Sequence, residues 1–397
     1  MNATAARQHE VLVLGAGYAG LAAAIQLAAR TRKRGNLHVT VVNPYDTFTE
    51  RLRLHMTATG QQTAELHIPE LLAGTGAHFV RGWVTAVDAE ARTVRVDDDR
   101  VLRYDTLVYG LGGIADTTTV PGVDEYAHTL DSPQDAAVLA RRLARSDGRT
   151  AVVGGSGLTG VEAAAEIAER YPELNVVLLG RREPGAGMHP RAKTHLDGAL
   201  ARLGVQVRSG VEVTKVLPDS VELADGSSIP AAVVLWTCGT RVSPLAAAAG
   251  LTVDDRGRVV ADSSLRSVSH PDVYAVGDAA AIRQGYGLMH GTCQSGMPAG
   301  VHAALSILRA LAGKEPKPFR FGYYHTPVSL GRDDGVVQFT HPDDSPRRIV
   351  LTGKRAAKYK ETVTASPWPT FARMKKMPAS GAFWPHGGRY TRTWSTK

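Results

Sequence analysis

The sequence predicts an α/β protein: two doubly wound parallel-sheet domains followed by a small C-terminal α+β domain. Three observations carry this. A G-x-G-x-x-G turn at Gly15, Gly17 and Gly20 follows a short apolar run, EVLVL at 10–14. The same arrangement returns at Gly155, Gly157 and Gly160, after TAVVGG at 150–155. A third apolar run, PDVYAVGDAAA at 271–281, again ends in a glycine turn. A chain of 397 residues is long enough for two or three domains of roughly 100–200 residues each.

The elements follow in order. After the first turn an Ala-rich helix runs to about Arg30, and HVTVVN (38–43) is the next strand, completing a βαβ unit. RTRKRG (30–35) reads as the solvated end of that helix. Residues 78–87 and 92–97 partly alternate and predict antiparallel strands, while YDTLVYGLGG (104–113) predicts a strand ending in a glycine turn. The pattern then restarts. VEAAAEIAERY (161–171) is a helix, NVVLLG (175–180) a strand, ALARLGVQVRSG (199–210) a helix end and strand, and AAVVLWTCGT (231–240) a strand. A helix is expected from about Pro298 to Ala312, and KEPKPF (314–319) marks a boundary. Beyond it, 325–340 and 347–353 predict an antiparallel sheet. The expected domains are 1–115 with 265–320, then 116–264, then 321–397. The tail carries Trp368, Trp384 and Trp394 in polar surroundings, which predicts a surface that packs on something. Active-site capping, membrane contact and a homodimer contact stay open for it.

Composition narrows the class. Two cysteines, Cys238 and Cys293, lie far apart without C-x-x-C or zinc-like spacing, so neither a disulfide framework nor a metal site is expected. The N-terminus lacks a basic stretch followed by an apolar one, and no run reaches the ~18 apolar residues of a spanning helix. A cytoplasmic protein, at most peripheral at the inner membrane face, is expected. Net charge is +8 with pI near 9.5. That suits anionic small molecules or an anionic surface, and no motif supports nucleic-acid binding.

The glycine turns carry the chemistry. The first glycine permits the tight turn, the second lets a pyrophosphate reach the backbone, and the third lets helix and strand pack closely. The helix N-terminus then faces the phosphates. Both domains are therefore expected to be Rossmann-like. The acidic residue that binds ribose, expected about 20 residues on, is Asn43 in the first copy. In the second copy the strand ends at Gly180, followed by Arg181 and Arg182. Loss of the carboxylate removes repulsion against a 2′-phosphate, and arginine can bind it, so NADPH is favoured while NADH stays open. Gly277 and Asp278 close the third turn, where an acid can accept hydrogen bonds from a sugar-alcohol chain.

These three motifs in this order resemble the two-dinucleotide-fold flavoproteins related to disulfide reductases, with a glutathione-reductase-like architecture. LVYGLGG (107–113) resembles that family's second consensus, altered at Tyr109 and Leu111. GGSGLTGVEAAAEIAE (154–169) is similar to type II NADH:quinone dehydrogenases. The resemblance implies FAD in the first fold, contacted by Gly15, Gly17, Tyr18, Ala19, Gly20, Asn43, Val84, Gly110, Gly277, Asp278 and Met297. It implies a nicotinamide nucleotide at Gly155, Gly157 and Gly160, with Glu162 near the nicotinamide. HGTCQSGMPAG (290–300) resembles the segment beside the flavin, where A-Q-x-x-Q contributes to a quinone pocket. Here Gln294 is present and Met297 replaces the second glutamine. DTFTERLRLHMT (46–57) makes Arg51, Arg53 and His55 candidates for flavin or substrate contact, with covalent attachment at His55 left open. Gln294, Glu162 and His55 are the candidate catalytic residues. The implied activity passes hydride from NAD(P)H through FAD to a quinone-like acceptor. The alternative is a flavin-dependent oxidase or dehydrogenase of a small molecule, with oxygen as acceptor and a remodelled nicotinamide fold.

Overall fold

The computed structural model describes residues 8–32, 35–97, 99–146 and 148–392. Lys33 and Arg34 of the basic run, and Trp394 of the tail, lie outside them.

The first domain is centred on a five-stranded parallel sheet. Its order is Val273–Ala275, Thr106–Tyr109, His9–Leu14, Leu37–Asn43, Ala77–Arg81. The central strands are apolar because both faces are covered. Helix Tyr18–Thr31 is buried along most of its length. It crosses the helix Cys293–Leu311 so closely that a Cβ on Gly300 would lie 2.0 Å from the Ala19 carbonyl oxygen. Small residues on both helices are what permit that approach.

The second domain repeats the plan with four parallel strands, in the order Gln206–Ser209, Asn175–Gly180, Thr150–Gly154, Val233–Trp236. Helix Leu158–Arg170 follows its glycine turn. The C-terminal sheet is antiparallel, His325–Ser329, Gly335–Thr340 and Pro346–Thr352, and leads into helices Gly353–Ala365 and Pro367–Lys376. The tail packs back on the first domain. Phe371 and Met374 are fully buried, and Phe48 meets Phe371 and Trp368 with ring centroids 5.7 Å apart in each case. The Trp384 indole donates to the Arg320 carbonyl at 2.8 Å.

Two expectations need correction. Residues 78–87 are not one antiparallel strand. Ala77–Arg81 is the parallel edge of the large sheet, and Val84–Asp88 turns away to pair with Thr93–Val96. The break falls at Gly82, whose N–H donates to Asn43 and where a Cβ would lie 2.4 Å from Val96. Nor does the long helix begin near Met297 and Pro298. It begins at Cys293, because Thr292 and Ser295 form a reciprocal capping box that starts it before the proline. Pro298 therefore sits inside the helix, where it lacks the N–H that would bond Gln294.

Candidate active site

The first glycine turn is shaped by sterics. Gly15 has φ +89°, and a Cβ there would lie 2.4 Å from the Gly110 carbonyl oxygen. A Cβ on Gly20 would lie 1.9 Å from the Gly15 carbonyl oxygen, whereas Gly17 faces open space. The middle glycine is thus free of contacts within the protein, at the N-terminus of Tyr18–Thr31, as a phosphate cradle requires. Asn43 braces this turn: its side-chain carbonyl accepts from Ala16 N–H at 2.9 Å, and its amide donates to the Tyr45 carbonyl at 2.7 Å. Val84 is half-buried opposite Val96 at the start of the small antiparallel sheet.

Gly277, at φ +67°, lies against Ala19, with 3.3 Å left for a Cβ. Asp278 follows it and faces a cavity of about 230 Å³ shared with His290, Ser295 and Gly296. Burial raises its pKa, against the opposing pull of Arg51 and His290, and its carboxylate accepts no hydrogen bond among the described residues. A half-buried carboxylate without a partner suits hydroxyl donors, such as a ribityl chain would offer. Tyr18 buries a hydroxyl without a partner, its ring edge-on to Phe48 at 5.0 Å. Met297 is half-buried against the same core. These residues fit the flavin nucleotide.

The second turn faces a larger cleft of about 1240 Å³. Gly155 has φ +115° and is pinned by the Thr237 hydroxyl, which donates to the carbonyls of Gly154 and Gly155 at 2.9 and 3.2 Å. A Cβ on Gly160 would lie 1.8 Å from the Gly155 carbonyl oxygen, and Gly157 again faces open space. Arg181 and Arg182 line the cleft, exposed and without an ion pair among the described residues. Gly180 has a reason the sequence does not reveal. A Cβ there would lie 2.1 Å from the Ser156 hydroxyl, which donates to the Arg182 carbonyl at 2.6 Å.

Glu162 and His55 come together, and a third segment joins them. Glu162 is buried and accepts from Ser329 N–H at 3.0 Å, from the Ser329 hydroxyl at 3.2 Å and from Lys360 Nζ at 2.9 Å. Burial alone would raise its pKa, but the Lys360 ammonium and the Ser329 N–H together hold it below the ordinary carboxylate value. His55 Nε2 lies 3.4 Å from the Ser329 hydroxyl, and burial lowers the imidazole pKa to about 4, so it is neutral. Lys360 and Ser329 were missed from sequence. The available signal was Ala356, Lys360 and Thr364 at four-residue spacing, one of which is a cation on an otherwise buried helix face.

The other candidates are held by neighbours. Arg51 donates to the Gly113 carbonyl at 2.9 Å and reaches Asp131 at 3.3 Å. Arg53 pairs with Glu361 at 2.6 Å and Glu50 at 3.4 Å. The Gln294 amide is spent on backbone: it donates to the His325 carbonyl at 3.0 Å and accepts from Tyr324 N–H at 3.1 Å. It ties the long helix to the C-terminal sheet. Cys238 and Cys293 are free, and burial pushes the Cys293 thiol up to about 11. Among the described residues no helix is long and apolar enough to cross a membrane.

Comparison with known proteins agrees with this geometry. The pyridine nucleotide-disulphide oxidoreductase family matches residues 9–306. An NADH dehydrogenase-like protein of Mycobacterium tuberculosis is 30% identical over 377 residues, covering 89% of this chain and 92% of that protein. A type II NADH:quinone oxidoreductase of Staphylococcus haemolyticus is 28% identical, covering 89% and 94%. The solved structure of Plasmodium falciparum NDH2 in complex with NADH superposes with a TM-score of 0.78 at 14% identity, over 97% of this chain and 100% of that one. The chain belongs to the pyridine nucleotide-disulphide oxidoreductase family and is an FAD- and nicotinamide-dependent oxidoreductase of the NADH dehydrogenase-like kind.

Proposed function

We propose that the protein passes reducing equivalents from NADPH, in preference to NADH, through FAD to a quinone-like acceptor. The observation that carries the reading is the pair of glycine turns, each with an open middle glycine, combined with the relatedness to quinone oxidoreductases. FAD, when bound, supplies two-electron acceptance from a nicotinamide and onward donation. The chain's own residues do the remaining work. Gly155, Gly157 and Gly160 hold the pyrophosphate, and Arg181 and Arg182 offer charge to a 2′-phosphate with no carboxylate at Gly180 to oppose it. Glu162, Ser329 and Lys360, with His55 beside them, form a hydrogen-bonded floor between the second domain and the C-terminal helix, beside which the nicotinamide would be placed. Gln294 positions the start of the long helix, and Met297 makes the acceptor side less polar than a second glutamine would. Peripheral membrane contact fits exposed Phe383 and Met377, which follow Lys375 and Lys376.

The test is anaerobic titration of the flavin with NADPH and NADH, followed by an acceptor screen. Bleaching of the flavin by NADPH at lower concentration than NADH, then reoxidation by a quinone, is expected. No reduction by either nucleotide overturns the reading. Hydrogen peroxide formed from a small-molecule donor without nucleotide selects the oxidase instead.

A further inference from the structure

A cavity of about 380 Å³, with His55, Ser329 and Lys360 in its wall, lies between Arg53–Met56, the loop 329–333 and helix Gly353–Ala365. It shares no lining residue with the nicotinamide cleft or with the Asp278 cavity. Its wall is cationic: Arg53, Arg332, Lys354, Lys358 and Lys360 line it, against Asp333 and Glu361. The carboxylates that pair Arg332 and Lys360, Glu166 at 2.9 Å and Glu162 at 2.9 Å, stand behind the wall and do not line it. Lys354 and Lys358 are one helical turn apart, exposed, and without an ion-pair partner among the described residues. The polar inventory is also incomplete. Thr364 lines the cavity, is 3% exposed, and its buried hydroxyl has no hydrogen-bond partner among the described residues. No Phe, Tyr or Trp lines the space; the one aromatic ring in its wall is the buried imidazole of His55.

We propose that this cavity binds a small oxyanion, a carboxylate or phosphate group. Two ammonium groups, a guanidinium and an unsatisfied hydroxyl all offer protons, and the positive charge of the first three makes those bonds charge-assisted for an oxyanion and not for a neutral acceptor. The group arrives in one of two ways: as the acid substituent of the electron acceptor, or as a free anion that occupies the cavity during turnover. The first source rests on the function proposed above; the site itself does not.

The test uses the FAD-loaded full chain. Inorganic phosphate is titrated against thermal unfolding in wild type, in Lys354→Ala/Lys358→Ala, in Thr364→Val, and in Arg181→Ala/Arg182→Ala, which removes charge from the nicotinamide cleft instead. Saturable stabilisation that weakens ~10-fold in apparent affinity in the lysine pair, falls in Thr364→Val, and persists in the arginine pair supports the site. In parallel, kcat/KM is measured for 1,4-naphthoquinone and its 2-sulfonate. A fall of ~10-fold in the sulfonate-to-neutral ratio in the lysine pair assigns the anion to the acceptor. An unchanged ratio, with phosphate binding still lost, assigns it to a free anion. Phosphate stabilisation that is absent, or equal in wild type and the lysine pair, overturns the proposal. Failure of NAD(P)H to reduce the flavin sinks the functional reading alone, since the phosphate titration does not depend on it.

Discussion

Replacing Lys360 by methionine removes one half of a buried ion pair. The Nζ to Oε1 distance to Glu162 is 2.9 Å, and the two side chains are 10% and 8% exposed. Breaking a buried pair on one side costs about 3–5 kcal/mol, because the remaining charge is left without compensation. Glu162 keeps its two bonds from Ser329, so the lower end, about 3 kcal/mol, is expected. The assay is urea unfolding of the FAD-loaded protein at pH 7.5. The Glu162→Gln/Lys360→Met double variant provides the control: with both charges gone, most of the lost stability returns. The pH dependence carries a sign. Glu162 titrates below its unfolded value. Its contribution is therefore present above the ordinary carboxylate pKa and is lost as pH falls through the lower folded value. Losing Lys360 moves that folded value up, so the acid limb of the stability curve moves to higher pH. A cost under about 1 kcal/mol, the size of a solvated surface pair, would refute the reasoning.

Three further outcomes are expected. His55 has a folded pKa near 4 against an unfolded 6.5, so its burial is neutral to the fold above pH 6.5 and destabilises it increasingly as pH falls toward 4. The difference is about 3 kcal/mol, and His55→Gln flattens this window in a pH series of unfolding midpoints. Gly17→Ala should fold normally yet lose most bound FAD, whereas Gly20→Ala should cost about 1–3 kcal/mol of stability, since its Cβ meets the Gly15 carbonyl. Flavin-to-protein ratio and melting temperature separate the two. Arg181→Ala/Arg182→Ala should raise KM for NADPH about tenfold and leave NADH little changed. Equal effects on both nucleotides would contradict the 2′-phosphate assignment.

What the sequence revealed divides along the range of the interactions. The glycine turns were legible because each is a local device, in which strand, turn and helix lie within about twenty residues of one another. Asp278 was singled out because it ends a similarly local turn. The Glu162 cluster was only half legible. His55 and Glu162 stood out by residue type and resemblance, but Ser329 and Lys360 come from separate parts of the chain and meet them only through tertiary packing. Asn43 was read as a ribose contact, and its amide also braces the glycine turn, a contact that no spacing rule encodes. The early start of the long helix was missed because Pro298 looked like a boundary. A capping pair with serine in place of the usual glutamate outweighed it. The split at Gly82 was missed because alternation describes a strand's faces and is silent on its partner.

The contact between Ser156 and Gly180 bears on how the proposed nucleotide preference could change over evolutionary time. The backbone at Gly180 is not in the left-handed region, so an L-residue is permitted there by conformation. Space is what forbids it: a Cβ would lie 2.1 Å from the Ser156 hydroxyl and 2.5 Å from the Ser156 Cβ. Installing an acid at the strand end therefore requires position 156 to shrink to glycine and the Arg182 carbonyl, 3.0 Å from the Cβ, to give way, and loss of the Ser156 side chain gives up its hydrogen bond to that carbonyl. Neither substitution gains anything without the other. The two positions are therefore sterically coupled: a side chain at 180 is expected only together with a smaller residue at 156.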